Sequence, residues 1–327
     1  MEADNVSDAF WHRGYVPLFP YEFDASDPEK VQEYCDQLTR FRQLAFKNPL
    51  HPGLSLDITI ASRKATSTNP NLFRLLPPFA LQGGQYQLVL KNAIRCEPDR
   101  LSQVWVADVR KHNDESSWGC VVLKLFQASL LPFPQPTWQD PFGEYSCPRQ
   151  LACVEELVYN ALQDIQGCTV PYFYGKHALT LPNGEPTRVN LLEYIEGQTL
   201  AELHDTYPAH RTTPLEPKQY RELLKKLKHL YVPAMQGIHE INDRRVVLRD
   251  LKPENIMITP SASNQVVFID FGHAFLNAPE EFVKSYPNPL RMASCVIKCC
   301  RQHDNDVKKW AKKCLSPDLQ PPIPVPL

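Results

Sequence analysis

No apolar segment in this 327-residue sequence is long enough to span a bilayer. Met1-Glu2-Ala3-Asp4-Asn5 has neither the basic start nor the apolar stretch of a secretory signal. A cytosolic or nuclear address is therefore expected, with no membrane partner. Net charge is nearly absent too: 35 basic residues stand against 37 acidic ones, a formal charge of -2, so no long-range field selects nucleic acid as a partner. The local run Lys225-Lys226-Leu227-Lys228 reads as a solvated helix face. Ten cysteines are present, but without paired metal-ligand spacing. Even the closest group, Cys295, Cys299 and Cys300, has no matching His/Cys pair and reads as free buried thiols. With 43% hydrophobic and 22% charged residues, the composition is that of a soluble globular protein, and disorder throughout is excluded.

Residues 1–84 form an N-terminal extension with one helix predicted from Asp27 to Phe46. There Val31, Tyr34, Leu38, Phe41 and Leu44 recur at three- and four-residue steps, Asp27 is placed as N-cap and Pro28 at the first helical position. From Gln85 the period changes to two. Tyr86–Leu90, Gln103–Val109 and Cys120–Phe126 read as three adjacent antiparallel strands. Five prolines between Leu131 and Pro148 mark a loop. A helix is predicted from Gln150 to Gln163, with Leu151, Val154, Val158 and Leu162 on one face. Strands follow at Tyr172–Tyr174 and Arg188–Tyr194, separated by the Pro182-Asn183-Gly184-Glu185 turn. Beyond Gly197 the pattern is mainly helical, most clearly over Lys218–Ile241, where Pro233 should kink or divide the helix. The proline-rich end, residues 316–327, reads as an extended tail.

The chemistry is concentrated in Val247-Leu248-Arg249-Asp250-Leu251-Lys252-Pro253-Glu254-Asn255 and Phe268-Ile269-Asp270-Phe271-Gly272. Two carboxylates, a lysine and an asparagine suit phosphoryl transfer: a carboxylate to orient a hydroxyl, a cation near the migrating group, and oxygen ligands for magnesium. A short loop that turns back into the strand Val266–Ile269 can place Asp250, Asn255 and Asp270 at one end of a hairpin. Upstream, Lys124 stands in the apolar run Val121-Val122-Leu123-Lys124-Leu125, where an ammonium needs an anionic partner or a route to solvent. Candidate partners are Glu155 and Glu156. Glu155 is preferred, because it shares a helical face with Tyr159.

The order of strands, lysine, helix with glutamate, apolar stretch and the two linked motifs resembles the protein-kinase-like fold, over roughly Gln85 to Leu315. The resemblance implies an α+β, two-lobed architecture: a small antiparallel sheet and hinge over 85–197, and a shortened helical C-lobe over 198–315. It also implies ATP and Mg2+ as cofactors. Asp250 would take the acceptor's proton, Lys252 would steady the migrating phosphoryl, and Asn255 and Asp270 would hold magnesium. Lys124, paired with Glu155, would contact the nucleotide phosphates. Leu191-Leu192-Glu193-Tyr194-Ile195-Glu196-Gly197 resembles the hinge that holds adenine through backbone groups, at Glu193 and Ile195.

Three departures accompany the matches. Where the family places a glycine-rich loop, residues 93–103 contain no glycine, so backbone amides approach phosphates poorly there. Arg95 and Arg100 are candidate replacements, opposed by Glu97 and Asp99. Leu248 replaces a histidine. The stretch after Gly272 has no Ala-Pro-Glu element, and Asp304 or Asp306 is the candidate for an aspartate that bonds the catalytic loop. The sequence is thus similar to compact, atypical kinase-like proteins of fungi. The expected activity is transfer of the ATP γ-phosphoryl to a hydroxyl, with protein Ser/Thr ahead of small molecules, and an ATP-binding pseudokinase or scaffold as the non-enzymatic alternative.

Overall fold

The computed structural model describes residues 27–63, 74–111, 116–133, 148–206, 216–260 and 266–285, together with 292 and 296. The chain divides into two compact units, one of residues up to Tyr194 plus Phe271–His273, the other of Ile195–Asp270 plus residues from Ala274 onward.

The first unit begins with helix α1 (Pro28–Lys47), whose N-cap Asp27 accepts from the amides of Glu29 and Lys30. Its buried positions are Val31, Leu38 and Ala45, a seven-residue step that stays on one line because two turns take 7.2 residues. Leu44, predicted to share that face, lies off the line and is 41% exposed. Strand β1 (Ser55–Ile60) then comes from the stretch that precedes Gln85 and pairs along its length with β2 (Gly84–Arg95). Part of the N-terminal extension is therefore the edge of the sheet. Alternation explains why: Leu56, Ile58 and Ile60 face inward while Ser55, Asp57 and Thr59 face out.

The short helix α2 (Pro78–Gln82) leads into β2, followed by β3 (Gln103–Lys111) and β4 (Ser117–Phe126). After helix α3 (Pro148–Ala161) come β5 (Phe173–Thr180) and β6 (Pro186–Glu193). All pairs are antiparallel, in the order β1-β2-β3-β4-β6-β5. One face of this sheet, with Leu88, Trp105, Val121, Leu123, Val189 and Leu191, packs on Phe79 and Tyr174 to form the core. The turn at Glu185 is an anchor as well. Its buried carboxylate accepts from Gln127 Nε2 at 2.8 Å, the Ser129 amide at 2.8 Å and Ser129 Oγ at 2.6 Å, which fixes the chain as it leaves β4.

In the second unit β7 (Gln198–Thr199) precedes α4 (Leu200–Asp205), which carries a capping box between Thr199 and Glu202. Helix α5 (Pro217–Asp243) follows, continuous through Pro233. The predicted division is therefore absent. A proline removes one helical hydrogen bond, whereas Leu230, Tyr231, Ala234 and Ile238 are buried on both sides of it and hold the two halves to one core. Strands β8 (Val246–Val247), β9 (Ile256–Ile258), β10 (Val266–Phe268) and β11 (Phe275–Leu276) form two small sheets, β10-β9-β7 and β11-β8. A further helix, α6, spans Glu280–Ser285. Among the described residues no helix is long and apolar enough to cross a membrane. Much of the predicted proline-rich loop, the cysteine group, Asp304, Asp306 and the proline-rich tail lie outside the described residues.

Beside β1, a cleft of about 600 Å³ is lined by Asp57, Thr59, Gln85, Lys176 and His177. Burial pushes the His177 imidazole below its usual 6.5, against the opposing pull of a Tyr174 backbone bond and of Glu156. The unfolded chain then binds the proton more tightly than the folded one, so this group's contribution to stability rises with pH up to about 6.5. Thermal unfolding followed from about pH 5 to about pH 7.5 should show a shallower acid-side loss in His177→Gln than in the wild type. Equal slopes would remove His177 from this account.

Candidate active site

Lys124 lies on β4, and its ammonium meets Glu155 Oε1 on α3 at 2.9 Å. Glu155 has no solvent exposure, and its second oxygen accepts from Asn190 Nδ2 at 3.0 Å. The amide of Phe271 also donates to Glu155 Oε1, at 3.2 Å. The pairing follows from helical geometry. Glu155 shares the inward face of α3 with Val158 and Tyr159, whereas Glu156, one residue and about 100° further round, pairs with Lys176. Tyr159 stacks on Phe173 with centroids 5.2 Å apart and meets Phe271 edge-on at 5.0 Å.

The glycine-free connection between β2 and β3 is held at Asp99. That residue adopts a left-handed backbone (φ 61°), donates its amide to Leu130 O at 2.8 Å, and pairs its carboxylate with Arg42 of α1. Arg42 also lies 4.4 Å over the Phe133 ring. Asp99, expected to repel phosphates, has its charge offset by Arg42. Of the two arginines proposed as replacements for glycine, Arg95 donates to Ser102 Oγ at 2.9 Å, while Arg100 is exposed.

Glu193 ends β6 and Ile195 follows in the second unit. The Glu193 side chain is engaged by Arg74, with Nε–Oε1 2.7 Å and Nη2–Oε2 3.0 Å, and its amide donates to Tyr172 O, so neither is left for a ligand. Two residues on, Gly197 has φ 152°, and a Cβ there would lie 2.2 Å from Ile258 O. Only glycine permits this approach of the backbone to β9.

In the second unit, β8 and the 3-10 turn Pro253–Asn255 bracket Leu248–Lys252. Asp250 Oδ2 accepts from Lys252 Nζ at 2.5 Å and from Asn255 Nδ2 at 3.2 Å, and Asn255 Nδ2 also reaches Asp250 O at 2.8 Å. The loop is thereby closed on itself. Asn255 O accepts from the amide of Ile269 at 3.0 Å, which sets the following residue, Asp270, beside the turn. Asp270 is left-handed (φ 63°), a conformation that costs a non-glycine residue energy and is held here by its neighbours. Leu248 is buried, and the Arg249 guanidinium sits 5.1 Å from the Phe275 ring centroid. Because Nδ2 of Asn255 is committed to Asp250, its amide oxygen is the atom left for a cation. With the Asp270 carboxylate it makes an all-oxygen donor set of the hard kind magnesium prefers. No group of three or more His, Cys, Asp or Glu side chains is arranged to hold a metal among the described residues.

Lys124 and Glu155 thus form one group, and Asp250, Lys252 and Asn255 with neighbouring Asp270 form another, in different units. Two further residues of the first unit carry no motif: Asn190, which bonds Glu155, and Arg74, which bonds Glu193. Asn190 is a lone polar residue in the apolar strand Val189-Asn190-Leu191-Leu192, and Arg74 interrupts Leu72-Phe73-Arg74-Leu75-Leu76. An uncompensated polar group in such a run is the signal that points to each.

Comparisons with known proteins cover part of this chain. Residues 182–319 match the family model of the protein kinase domain. Cyclin-dependent kinase 20 of Rattus norvegicus is 30% identical over 113 residues, 34% of this chain and 30% of that protein. Serine/threonine-protein kinase pkn2 of Myxococcus xanthus is 33% identical over 91 residues, 28% of this chain and 9% of that protein. Aurora kinase of Candida glabrata is 28% identical over 96 residues, 29% of this chain and 26% of that protein. The chain spans less than a third of the length of these relatives. Over the part of the chain that they cover, the matches show similarity to protein kinases.

Two outcomes test the polar ties of the first unit. Lys124→Met strands a buried carboxylate and should cost about 3–5 kcal/mol in denaturant unfolding, while Lys124→Met with Glu155→Leu should recover most of it. Two single changes that add without coupling would show that the pair is not buried together. Arg42→Ala should speed hydrogen exchange at the Asp99 amide about tenfold, by loosening its tie to Leu130. An unchanged rate would show that the tie holds without Arg42.

Proposed function

We propose that this chain is an atypical kinase that transfers the γ-phosphoryl of ATP to a hydroxyl, with protein Ser/Thr side chains as the acceptor class. The observation that carries the proposal is the closed loop in which Lys252 and Asn255 both bond one oxygen of Asp250. In this reading Oδ1 of Asp250 accepts the acceptor's proton as its oxygen attacks, and Lys252 offsets charge on the migrating group. Asn255 Oδ1 and Asp270 hold magnesium, which when bound neutralises charge on the nucleotide phosphates. Lys124, oriented by Glu155, would engage nucleotide phosphates, and the backbones of Glu193 and Ile195 would receive the base. Lys252 favours a protein hydroxyl over a small molecule, because small-molecule phosphotransferases of similar fold usually lack a lysine at that spacing. A cytosolic or nuclear setting belongs to this proposal.

The tethered, glycine-free β2–β3 connection favours a second reading, a nucleotide-binding module without turnover. Thermal stabilisation by ATP with and without magnesium, then phosphate transfer to mixed protein and metabolite pools, separates the two. The kinase reading expects a magnesium-dependent shift, transfer to protein, and loss of transfer by at least about a hundredfold in Asp250→Ala and Asp270→Ala. A shift without transfer selects the binding module. Transfer that survives in Asp250→Ala would displace Asp250 from its role, and no shift at saturating ATP would end both readings.

A further inference from the structure

Arg74 precedes α2, in a part of the chain to which neither sequence motif extends. Its side chain is 19% exposed and that of Glu193 10%. The guanidinium grips both oxygens of Glu193 and donates to the carbonyls of Cys168 at 2.8 Å and Val170 at 3.0 Å. The main chain of Arg74 is tied as well: its amide donates to Gly167 O at 2.7 Å, and its carbonyl accepts from Tyr172 Oη at 2.9 Å. Glu193 Oε2 also accepts from the Tyr172 amide at 2.9 Å, and the Glu193 amide donates to Tyr172 O at 2.8 Å.

A planar five-donor fork against a carboxylate fixes distance and orientation together, which a lysine cannot do. Here Arg74 is itself located by three backbone carbonyls and the Tyr172 hydroxyl, so the last residue of β6 is held from outside the sheet. We infer that Arg74 is a positioning residue for nucleotide-base recognition, setting where the Glu193 backbone meets the base through the buried pair with the Glu193 carboxylate. This rests on the kinase reading, in which that backbone receives adenine. It adds a specificity determinant from a segment 119 residues away in sequence. Base recognition by a backbone depends on angstrom-level placement, since a hydrogen bond weakens steeply as it lengthens or bends. Loss of the fork should therefore affect the base and spare the phosphates.

The test uses the full chain and measures equilibrium binding of ATP, GTP and inorganic tripolyphosphate to wild type, Arg74→Ala, Arg74→Lys and Glu193→Gln. Arg74→Ala should weaken ATP about tenfold and lower the ATP/GTP preference by the same factor, while tripolyphosphate changes by less than about twofold. Arg74→Lys, which keeps the charge and loses the fork, should fall between. Glu193→Gln keeps an acceptor for the Tyr172 amide, and should follow Arg74→Lys if Arg74→Ala does not fold. In turnover, the KM for ATP should rise with kcat little changed. Equal losses for ATP and tripolyphosphate, or an unchanged ATP/GTP ratio in the folded variants, would overturn the inference while leaving the kinase reading intact. Wild-type protein that binds no ATP would overturn that reading, and this inference with it.

Discussion

Glu155 is a carboxylate cut off from water, and much of the first unit is arranged around that fact. An ionised group in such a place must be matched by donors, and three converge on it: the Lys124 ammonium, the Asn190 amide and the backbone amide of Phe271. Each donor comes from a different element, β4, β6 and the segment after Asp270. The carboxylate therefore fixes α3 against the sheet and fixes both to the residue that follows the Asp270 carboxylate. Apolar packing alone could hold α3 at several rotations, since one face of aliphatic side chains resembles another. The charge selects a single rotation, because turning the helix by one residue would put Glu156 in the site and leave Lys176 without its partner.

Other long-range polar ties in the first unit follow the same logic. Arg42 on α1 holds Asp99, Glu185 holds Gln127 and Ser129, and Arg74 holds Glu193. Each secures a connection that lacks the side-chain packing of a strand: the β2–β3 link, the exit from β4 and the end of β6. The first compensates for a missing property of the sequence. Without glycine, residues 96–102 cannot fold over a phosphate by backbone freedom alone, and the left-handed turn at Asp99 is instead supported by a hydrogen bond from its amide to Leu130 O and by a cation from α1. Exposed ion pairs contribute little to stability. The Arg74 pair, largely buried and bidentate, contributes most to position.

What could be read from the sequence depended on how local the determining interactions are. Asp250, Lys252 and Asn255 lie within six residues, and their mutual hydrogen bonds are short-range, so a linear motif carried the arrangement. The choice of Glu155 over Glu156 came from helical periodicity and is the pairing the structure has. Leu44 was misplaced because steps of three and four accumulate error: thirteen residues from Val31 is a rotation of about 220°, away from the buried line. Strand β1 was missed although Leu56, Ile58 and Ile60 alternate with polar residues, because a period of two over Ser55–Ile60 does not say which strand it pairs with. Arg74 and Asn190 were missed for a related reason. Their partners lie 119 and 35 residues away, and a polar residue in an apolar run shows that a partner exists without saying which.

The closed loop at Asp250 has a consequence for chemistry that the motif alone does not contain. Lys252 and Asn255 both bond Oδ2, so the two carboxylate oxygens are inequivalent before any ligand arrives. A donor on one oxygen draws charge toward it and fixes the plane of the carboxylate, which leaves Oδ1 aimed in one direction. The same amide that orients Asp250 is part of Asn255, whose remaining oxygen can take a cation, while its backbone carbonyl holds Ile269 next to Asp270. One asparagine, itself a proposed metal-binding side chain, thus links the proposed proton acceptor Asp250 to the turn beside Asp270. Such coupling favours pre-organisation: the groups that must act together are located by shared hydrogen bonds, so little rearrangement is needed when charge develops.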